Sequence, residues 1–457
     1  MCGIFLAVSK NTKTISKIYS QRDKIIKTIR RRGPDYLSIK KDSNFVAIHS
    51  LLSITGLRLQ PIITDKLLIL FNGEIYNDYK NYNHAYNDTD LIVKTINSRD
   101  NVAFTFFDGE FAICAYLFKR NRLLLATDPF ATKPLYFQSG ADFLIAGTFD
   151  TTVAKAGQRG EIKKVPANTL IEIDTKNFQI KSQKIIRPFD FSNQNSTDFE
   201  KWNHVFKKAI IKRTYNSRHR VFLGLSSGHD SGLMVAEMIE QKIPFHAYVM
   251  TYLEDQKIID ERIKILKKNQ IKFDVLDPSK KEWRKIKNFV SKNVEPYKLI
   301  NPDDSFQNFS DPDLRKNSGF IASALIFKHA KENGEFIGLS GQGGDEIYSD
   351  YYNEFANPKM SELKGKWHGV KGPWRNFYGG WNKVFLGGNE RISSLFGIES
   401  RYPFLDFNVV QEFINLLPKL KSNYYKAPIT NRLNELNFPF HPKKFGFAGF
   451  NDKSLVP

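Results

Sequence analysis

Residues 220–241 read RVFLGLSSGHDSGLMVAEMIEQ, and their reading decides the fold class of the larger part of the chain. An apolar strand, Val221 to Leu225, runs into a loop of small residues, and a helix is expected from about Ser231. Residues 335–351, EFIGLSGQGGDEIYSDY, repeat the design: a strand, a glycine-rich loop, then acidic residues. Strands alternating with helices over this region predict an α/β domain with a parallel sheet. Loops at the carboxyl ends of such strands line the crevice where these sheets bind ligands. Ser226, Ser227 and Gly228, ahead of a helix N-terminus, would point backbone N–H groups and a positive dipole end at an anion. Asp345 and Glu346 in the second loop offer hard oxygen ligands for Mg2+, the usual companion of a polyphosphate.

Other readings of the same residues stay open at this point. Gly224-Leu-Ser226-Ser-Gly228 also fits the G-x-S-x-G elbow of a hydrolase, which needs an acid and a histidine further along. His329, His368 and His441 are available, but none has a context that marks it, and the elbow leaves Asp230 and Ser231 without a role. A tight turn that binds nothing is the plainer alternative, weaker for two loops built alike than for one.

Upstream, residues 2–187 read as a β-rich unit, with short strands such as GIFLAV, FVAIHS, KLLILF, FAICAYLF, RLLLAT, PLYF and FLIAGT. An early helix is expected over Lys17–Arg32, with Ile18, Ile25, Ile26 and Ile29 on one face. Residues 188–200 are polar and carry no period, so they read as a linker to a second domain at 201–457. The 457 residues, 41% hydrophobic and 25% charged, suit a globular protein of two or three domains.

Two cysteines, Cys2 and Cys114, exclude a disulfide framework and a four-cysteine zinc site, and they fit a reducing compartment. With no stretch apolar enough to span a membrane and no signal-peptide pattern, the expectation is a soluble cytoplasmic protein. The net charge of +20 raises nucleic acid as a partner. The lysines are dispersed, however, as in Ile263–Lys268, and no zinc-finger, RNA-binding or basic-zipper pattern is visible. A lysine-rich surface suited to anionic small-molecule substrates is the expectation, nucleic acid is not, and a homodimer is left open.

The chain opens MCGIFLAVSK. If Met1 is removed, Cys2 carries a thiol and an α-amine on one residue. Their ordinary pKa values, about 8.5 and about 7.7–8.0, let the amine act as base for its own side chain. The alternative is a thiol packed under the Ile4–Val8 strand. The first ten residues alone leave both standing.

Further motifs bear on the choice. Cys2-Gly3-Ile4, Arg32-Gly33-Pro34-Asp35 and Asn72-Gly73-Glu74-Ile75-Tyr76-Asn77 resemble the glutaminase domain of class II glutamine amidotransferases. Ser226 to Ser231, Ser340 to Glu346, Arg401-Tyr-Pro-Phe-Leu-Asp406 and Lys444-Phe-Gly-Phe447 resemble the synthetase domain of glutamine-hydrolysing asparagine synthetases, in matching order over nearly the whole chain. The resemblance implies a four-layer αββα N-terminal-nucleophile hydrolase fold, followed by a nucleotide α-hydrolase-like domain with a pyrophosphate loop. It implies a carbon–nitrogen ligase using ATP, Mg2+ and glutamine, with ammonia carried through an internal channel.

By the same resemblance, Cys2 is the nucleophile, and the Asn72 side chain and Gly73 N–H stabilise the oxyanion. Glu74 and Asp90 hold the glutamine, with Asp90 on its α-amino group. Ser226, Ser227, Gly228, Asp230, Ser231 and Gly341 bind ATP and its pyrophosphate, Asp230 and Asp345 hold Mg2+, and Lys444 offsets charge on the leaving pyrophosphate. Asn72-Gly73 alone also fits a tight turn after the LLILF strand.

The sequence departs from the family at Leu51, which stands where the family has an arginine for the glutamine α-carboxylate; Arg32 or Arg58 are the available substitutes. Ser227-Gly228 replaces two glycines, His229 adds an imidazole as a neutral passenger or an extra phosphate contact, and Gln342 replaces a glutamate in the acceptor loop. A C-terminal helical extension of the larger synthetases is expected to be missing. Aspartate is the first choice of acceptor. A sugar uronic acid or a small-metabolite acid is the alternative, and a degenerate binding protein is the reading from another class.

Overall fold

β1 (Gly3–Ser9) is buried along its whole length, which requires a packed layer on each of its faces. Side chains alternate along a strand. Ile4, Leu6 and Val8 enter one core, and Phe5 and Ala7 enter another with Ile15, Ile18, Ile25 and Ile29. A computed structural model supplies the coordinates and describes residues 1–77, 85–215, 218–252, 254–300, 312–352 and 360–441. The chain divides into two compact units, Met1–Pro188 with Ser394–Gly397, and Phe189–Ser393 with Ile398–Pro457.

In the first unit β1 is joined in one antiparallel sheet by β2 (Tyr36–Lys41), β3 (Phe45–Leu51), β8 (Tyr136–Ser139), β9 (Phe143–Gly147) and β10 (Lys163–Lys164). A second sheet holds β4 (Ile62–Ile63), β5 (Leu67–Ile75), β6 (Gly109–Leu117), β7 (Arg122–Thr127), β11 (Thr169–Asp174) and β12 (Gln179–Ile185). The sheets face each other through Ile4, Leu6, Leu68, Leu70, Cys114 and Leu125. Helices α1 (Thr12–Ser20) and α2 (Arg22–Ile29) cover the outer face of the first sheet, and α3 (Asp88–Arg99) covers the second through Leu91, Ile92 and Ile96. A short α4 (Asp150–Ala154) adds Val153 to the first helical layer. This is the four-layer αββα arrangement. Each buried isoleucine or leucine contributes roughly 1.5–3 kcal/mol, so the alternation along β1 holds sheet and helices together at once.

Two expectations are corrected here. The single helix over 17–32 is two helices broken at Gln21, which has φ −92° and ψ 3° and closes α1 through its N–H to the Ile18 carbonyl. The break leaves isoleucines of both pieces under the sheet. Asn72-Gly73 is not a turn: both lie within β5, opposite Ala112 and Phe111 of β6.

The second unit contains a parallel sheet ordered β15 (Lys272–Leu276), β14 (Phe245–Met250), β13 (Val221–Leu225), β16 (Ile337–Leu339), β17 (Glu399–Arg401). Its helices are α5 (Glu200–Thr214), α6 (His229–Glu240), α7 (Gln256–Lys268), α8 (Lys280–Asn293), α9 (Ser318–Glu332), α10 (Gly344–Tyr348), α11 (Arg375–Tyr378), α12 (Gly380–Phe396), α13 (Phe407–Asn415), α14 (Pro418–Lys421) and α15 (Ala427–Glu435). The chain order reverses between β13 and β16, so the loops after these two strands flank the switch point.

The stretch after Pro188 packs on this second unit. Phe189 stacks on Phe407 with ring centroids 4.4 Å apart, and Lys421 donates to Gln194 Oε1 at 2.9 Å. Among the described residues, no helix is long and apolar enough to cross a membrane.

Candidate functional site

In the first unit β1 and β5 bring Cys2 to Asn72: the Cys2 backbone N–H donates to Asn72 Oδ1 at 2.9 Å. Asn72 is fully buried, and Nδ2 of the same amide has no hydrogen-bond partner. An unmet buried donor ordinarily costs about 1–3 kcal/mol, and here it sits on the amide that already holds the cysteine backbone. Next to it, Gly73 has φ +135°, and a Cβ there would overlap the Glu110 carbonyl, so only glycine fits. Cys2 itself is 8% exposed. The other thiol, Cys114, lies between the sheets, where burial pushes its pKa far up and keeps it unreactive.

Arg32 is fully buried, and its Nε donates to the Cys2 carbonyl at 2.8 Å while a terminal nitrogen reaches the Met1 sulfur at 3.1 Å. The Arg-Gly-Pro-Asp turn is pressed on the end of β3: Ser50 Oγ donates to the Gly33 carbonyl at 2.6 Å, and the Asp35 N–H to the Leu51 carbonyl at 2.9 Å. Leu51 is buried, Arg58 is exposed, and Arg32 is committed to the cysteine backbone.

Glu74 is buried on β5 opposite Glu110 of β6. Asp90, in the first turn of α3, instead pairs with Lys94 at 3.1 Å and accepts the Tyr86 N–H at 3.1 Å; Asp88, two residues earlier, is the more buried carboxylate.

Sequence reading missed a buried polar cluster behind Glu74. Lys133 Nζ lies 3.3 Å from Glu110 Oε2, both side chains being buried. Asp128 gathers the N–H groups of Phe111, Phe130 and Thr132 and the Thr132 hydroxyl. Burial chiefly, and then Glu110, raise the Asp128 pKa against these donors. The dense Asp-Pro-Phe-Ala-Thr-Lys-Pro run at 128–134 was the available signal. His49 is also buried: desolvation lowers its pKa to about 3, and its Nε2 has no hydrogen-bond partner. We expect Asn72→Ala to lower glutamine hydrolysis by about 10²–10³-fold in kcat, the effect of losing one preorganised oxyanion donor; ammonia release assayed at saturating glutamine is the check.

In the second unit the two loops meet. α6 starts at His229 rather than Ser231, which places Asp230 in its first turn. Cβ atoms built on Gly341 or Gly344 would press on the Asp230 side chain, so glycine at these positions lets the loop after β16 close on it. Ser226 Oγ and Ser231 Oγ are 2.9 Å apart, and the Gly228 N–H reaches Ser226 Oγ at 3.2 Å. Ser226 is thus engaged by its own loop, and no histidine is bonded to it among the described residues. The hydrolase elbow is not formed.

Ser227 is absent from the positive-φ residues, which is what its side chain requires. Its N–H donates to Glu254 Oε2 at 2.7 Å, and its hydroxyl bonds the same oxygen. Burial raises the Glu254 pKa, and the Ser227 bonds oppose that. The loop backbone is braced from below by Arg262, whose guanidinium bonds the Ser226 and Gly228 carbonyls and the Pro439 carbonyl. Burial lowers Arg262 to about 9, so it stays charged at neutral pH. His229 is lowered to about 3, by burial first and then by Lys426 and Arg262, and is therefore a neutral imidazole beside Tyr425.

Asp230 and Asp345 do converge. Lys426 Nζ lies 2.7 Å from both Asp230 oxygens and 2.9 Å from Asp345 Oδ1, and Tyr425 OH donates to Asp345 Oδ1 at 2.7 Å. Burial alone would disfavour the Lys426 ammonium, but the two carboxylates hold its pKa well above the lysine value. An ammonium that touches both carboxylates shows that one cation fits between them. Among the described residues no group of three or more His, Cys, Asp or Glu could hold a metal. Asp230 and Asp345 would therefore hold Mg2+ only with phosphate oxygens and water completing its shell. Lys426 was not foreseen; nothing in its local sequence marks it.

Gln342 is partly exposed, its N–H 3.4 Å from Ser340 Oγ, and Lys444 lies outside the described residues. Arg401 and Asp406 have an architectural place: Arg401 pairs with Glu399 at 2.7 Å, and Asp406 with Arg213 at 2.8 Å and Lys212 at 2.5 Å. Burial would raise the Asp406 pKa, yet these two cations hold it below the usual carboxylate range and so tie α5 to the start of α13.

Comparison with known proteins agrees with this layout. A family model described as "Glutamine amidotransferase domain" matches residues 1–194. The chain is 23% identical over 442 residues to a probable glutamine-hydrolyzing asparagine synthetase of Dictyostelium discoideum, covering 92% of this chain and 77% of that one. It is 25% identical over 392 residues to a counterpart from Acanthamoeba polyphaga mimivirus, covering 78% and 67%. Asparagine synthetase B of Escherichia coli is 21% identical over 444 residues, covering 92% and 76%. A glutamine amidotransferase domain thus stands at the start of the chain, and its similarity to glutamine-hydrolysing asparagine synthetases runs on through the parallel-sheet unit.

Proposed function

We propose that this protein is a glutamine-dependent ligase that amidates a carboxylate at the cost of ATP, with aspartate as the first-choice acceptor and asparagine as its product. The observation that carries the first half is the Cys2–Asn72 pair, in which one buried amide accepts from the Cys2 nitrogen and keeps its own N–H donor unmet. Removal of Met1 would turn that nitrogen into an α-amine able to take the thiol proton. The thiolate then attacks the glutamine side-chain amide, Asn72 Nδ2 and the Gly73 N–H receive the oxyanion, and ammonia leaves a γ-glutamyl thioester that water hydrolyses. Glu74 lies on the same strand as these donors, and Asp88 joins Asp90 as a candidate for the glutamine amino group.

In the second unit the loop of Ser226, Ser227, Gly228 and Ser231, with Gly341 beside it, would receive the ATP phosphates. Mg2+ between Asp230 and Asp345 would offset their charge. The acceptor carboxylate attacks the α-phosphate, pyrophosphate leaves, and ammonia displaces AMP from the acyl-adenylate. Lys444 is proposed to steady the leaving pyrophosphate. Gln342, an amide, cannot take a proton from the attacking ammonia, so either another residue takes it or the acceptor is a carboxylate other than aspartate, the second reading.

Pyrophosphate release from ATP, Mg2+ and glutamine across a panel of carboxylic acids is the test. Release with aspartate, with asparagine formed, supports the reading; release only with a sugar uronic acid or another acid replaces the acceptor; no release with any acid overturns the ligase. In the same assay, Leu51 predicts a glutamine KM at or above about 1 mM, because a buried leucine cannot pair with the α-carboxylate. A KM in the low micromolar range would sink that expectation.

A further inference from the structure

The ammonium of Lys426 touches three carboxylate oxygens of Asp230 and Asp345 at 2.7–2.9 Å and is 3% exposed. Its backbone adopts φ +50° and ψ 54°, the left-handed region that a lysine rarely visits, at the entry to α15. Tyr425, the preceding residue, adds its hydroxyl to the same Asp345 oxygen. The contact is therefore built from two adjacent residues of one turn, both directed at the paired carboxylates.

From this geometry we infer that Lys426 is a resident counter-ion of the metal site, and that a divalent cation and the Lys426 ammonium occupy the space between Asp230 and Asp345 in alternation. The inference rests on reading the loops after β13 and β16 as an ATP site. Mg2+ requires carboxylate oxygens at about 2.0–2.1 Å, and three of the four oxygens of this pair now accept from the ammonium. A divalent ion and an ammonium that close together also repel each other strongly in a buried setting. Metal entry must displace the side chain from these oxygens. The free protein consequently binds metal weakly, and its two carboxylates stay compensated while no metal is present. Two carboxylates left together without a cation would repel one another, which the resident ammonium prevents.

The test is a titration of the whole protein with Mn2+ alone, free Mn2+ being counted by electron paramagnetic resonance. Lys426→Met keeps the length and apolar stem and removes the charge. It is expected to bind one Mn2+ at least ten-fold more tightly than the unaltered protein, and addition of Asp345→Asn should abolish the gain. Equal or weaker binding by a folded Lys426→Met protein overturns the inference.

If that variant is destabilised, Mn2+ must raise its melting temperature more than it raises that of the unaltered protein. If it does not fold with or without Mn2+, the unaltered protein decides. The slowly exchanging lysine ¹⁵Nζ signal, assigned with Lys426→Arg, must move when Mg2+ and pyrophosphate are added. An unchanged signal overturns the inference. Tighter Mn2+ binding with no ATP binding by either protein would leave the displacement standing and remove the ATP reading. ATP binding with no gain in Mn2+ affinity would do the reverse.

Discussion

Cys2→Ala is expected to lower ammonia release from glutamine by about 10⁴-fold or more, the scale on which removing a nucleophile acts, while ammonium chloride still supports pyrophosphate release. The asymmetry follows from where the thiol sits. Cys2 heads β1, whose residues Ile4, Leu6 and Val8 are locked between the two sheets, and its nitrogen is fixed on Asn72. Alanine keeps the backbone and those contacts, so the substitution removes the sulfur and little else. Cys114 cannot take over, because it is fully buried with its thiol pKa pushed up. Comparable losses with glutamine and with ammonium would mean that the first unit has no separate chemistry. Unchanged glutamine use would remove Cys2 from the mechanism.

The second large effect is expected at Gly344→Ala. Gly344 does not have a positive φ, so alanine suits the backbone, and the three atoms nearest its Cβ would be the carboxyl group of Asp230, at 2.4–2.6 Å. The substitution therefore acts as a wedge on one carboxylate, moving it away from Asp345 and Lys426. A displacement of about 1 Å at such a site costs about 10²-fold, and ATP-dependent pyrophosphate release should fall by at least that much. Glutamine hydrolysis, which uses residues of the first unit, should persist. Turnover of ATP within a few-fold of the unaltered protein would show that Asp230 has no part in nucleotide chemistry.

How far the residues by themselves led can be judged at particular positions. Val221–Leu225 followed by small residues, and Ile337–Leu339 followed by glycines, were readable as strands with ligand loops, because an apolar run and a glycine cluster are local properties. The apolar run Gly3–Val8 was likewise readable as a strand, while its burial on both faces came from the packed layers of the structure. The break at Gln21 was not readable, since the isoleucine spacing is compatible with one helix and no proline or glycine marks the turn. Asn72-Gly73 carried a turn signature that strand pairing with β6 overrode, leaving the glycine at φ +135° where a side chain would strike Glu110.

The sequence by itself determined the chemistry available: a cysteine behind the initiator, an Asn-Gly pair, a small-residue loop, paired acids and the order in which they occur. Only the tertiary structure decided which of these groups meet. Asp230 and Asp345 are 115 residues apart and touch one ammonium, that of Lys426, from a third element later in the chain. Arg32 proved to hold the Cys2 backbone, and Ser227 proved to be bonded to Glu254. The reason is physical. Strand and loop character follows from near neighbours along the chain, whereas the partner of a buried charge is set by which distant elements the packed cores bring within about 3 Å.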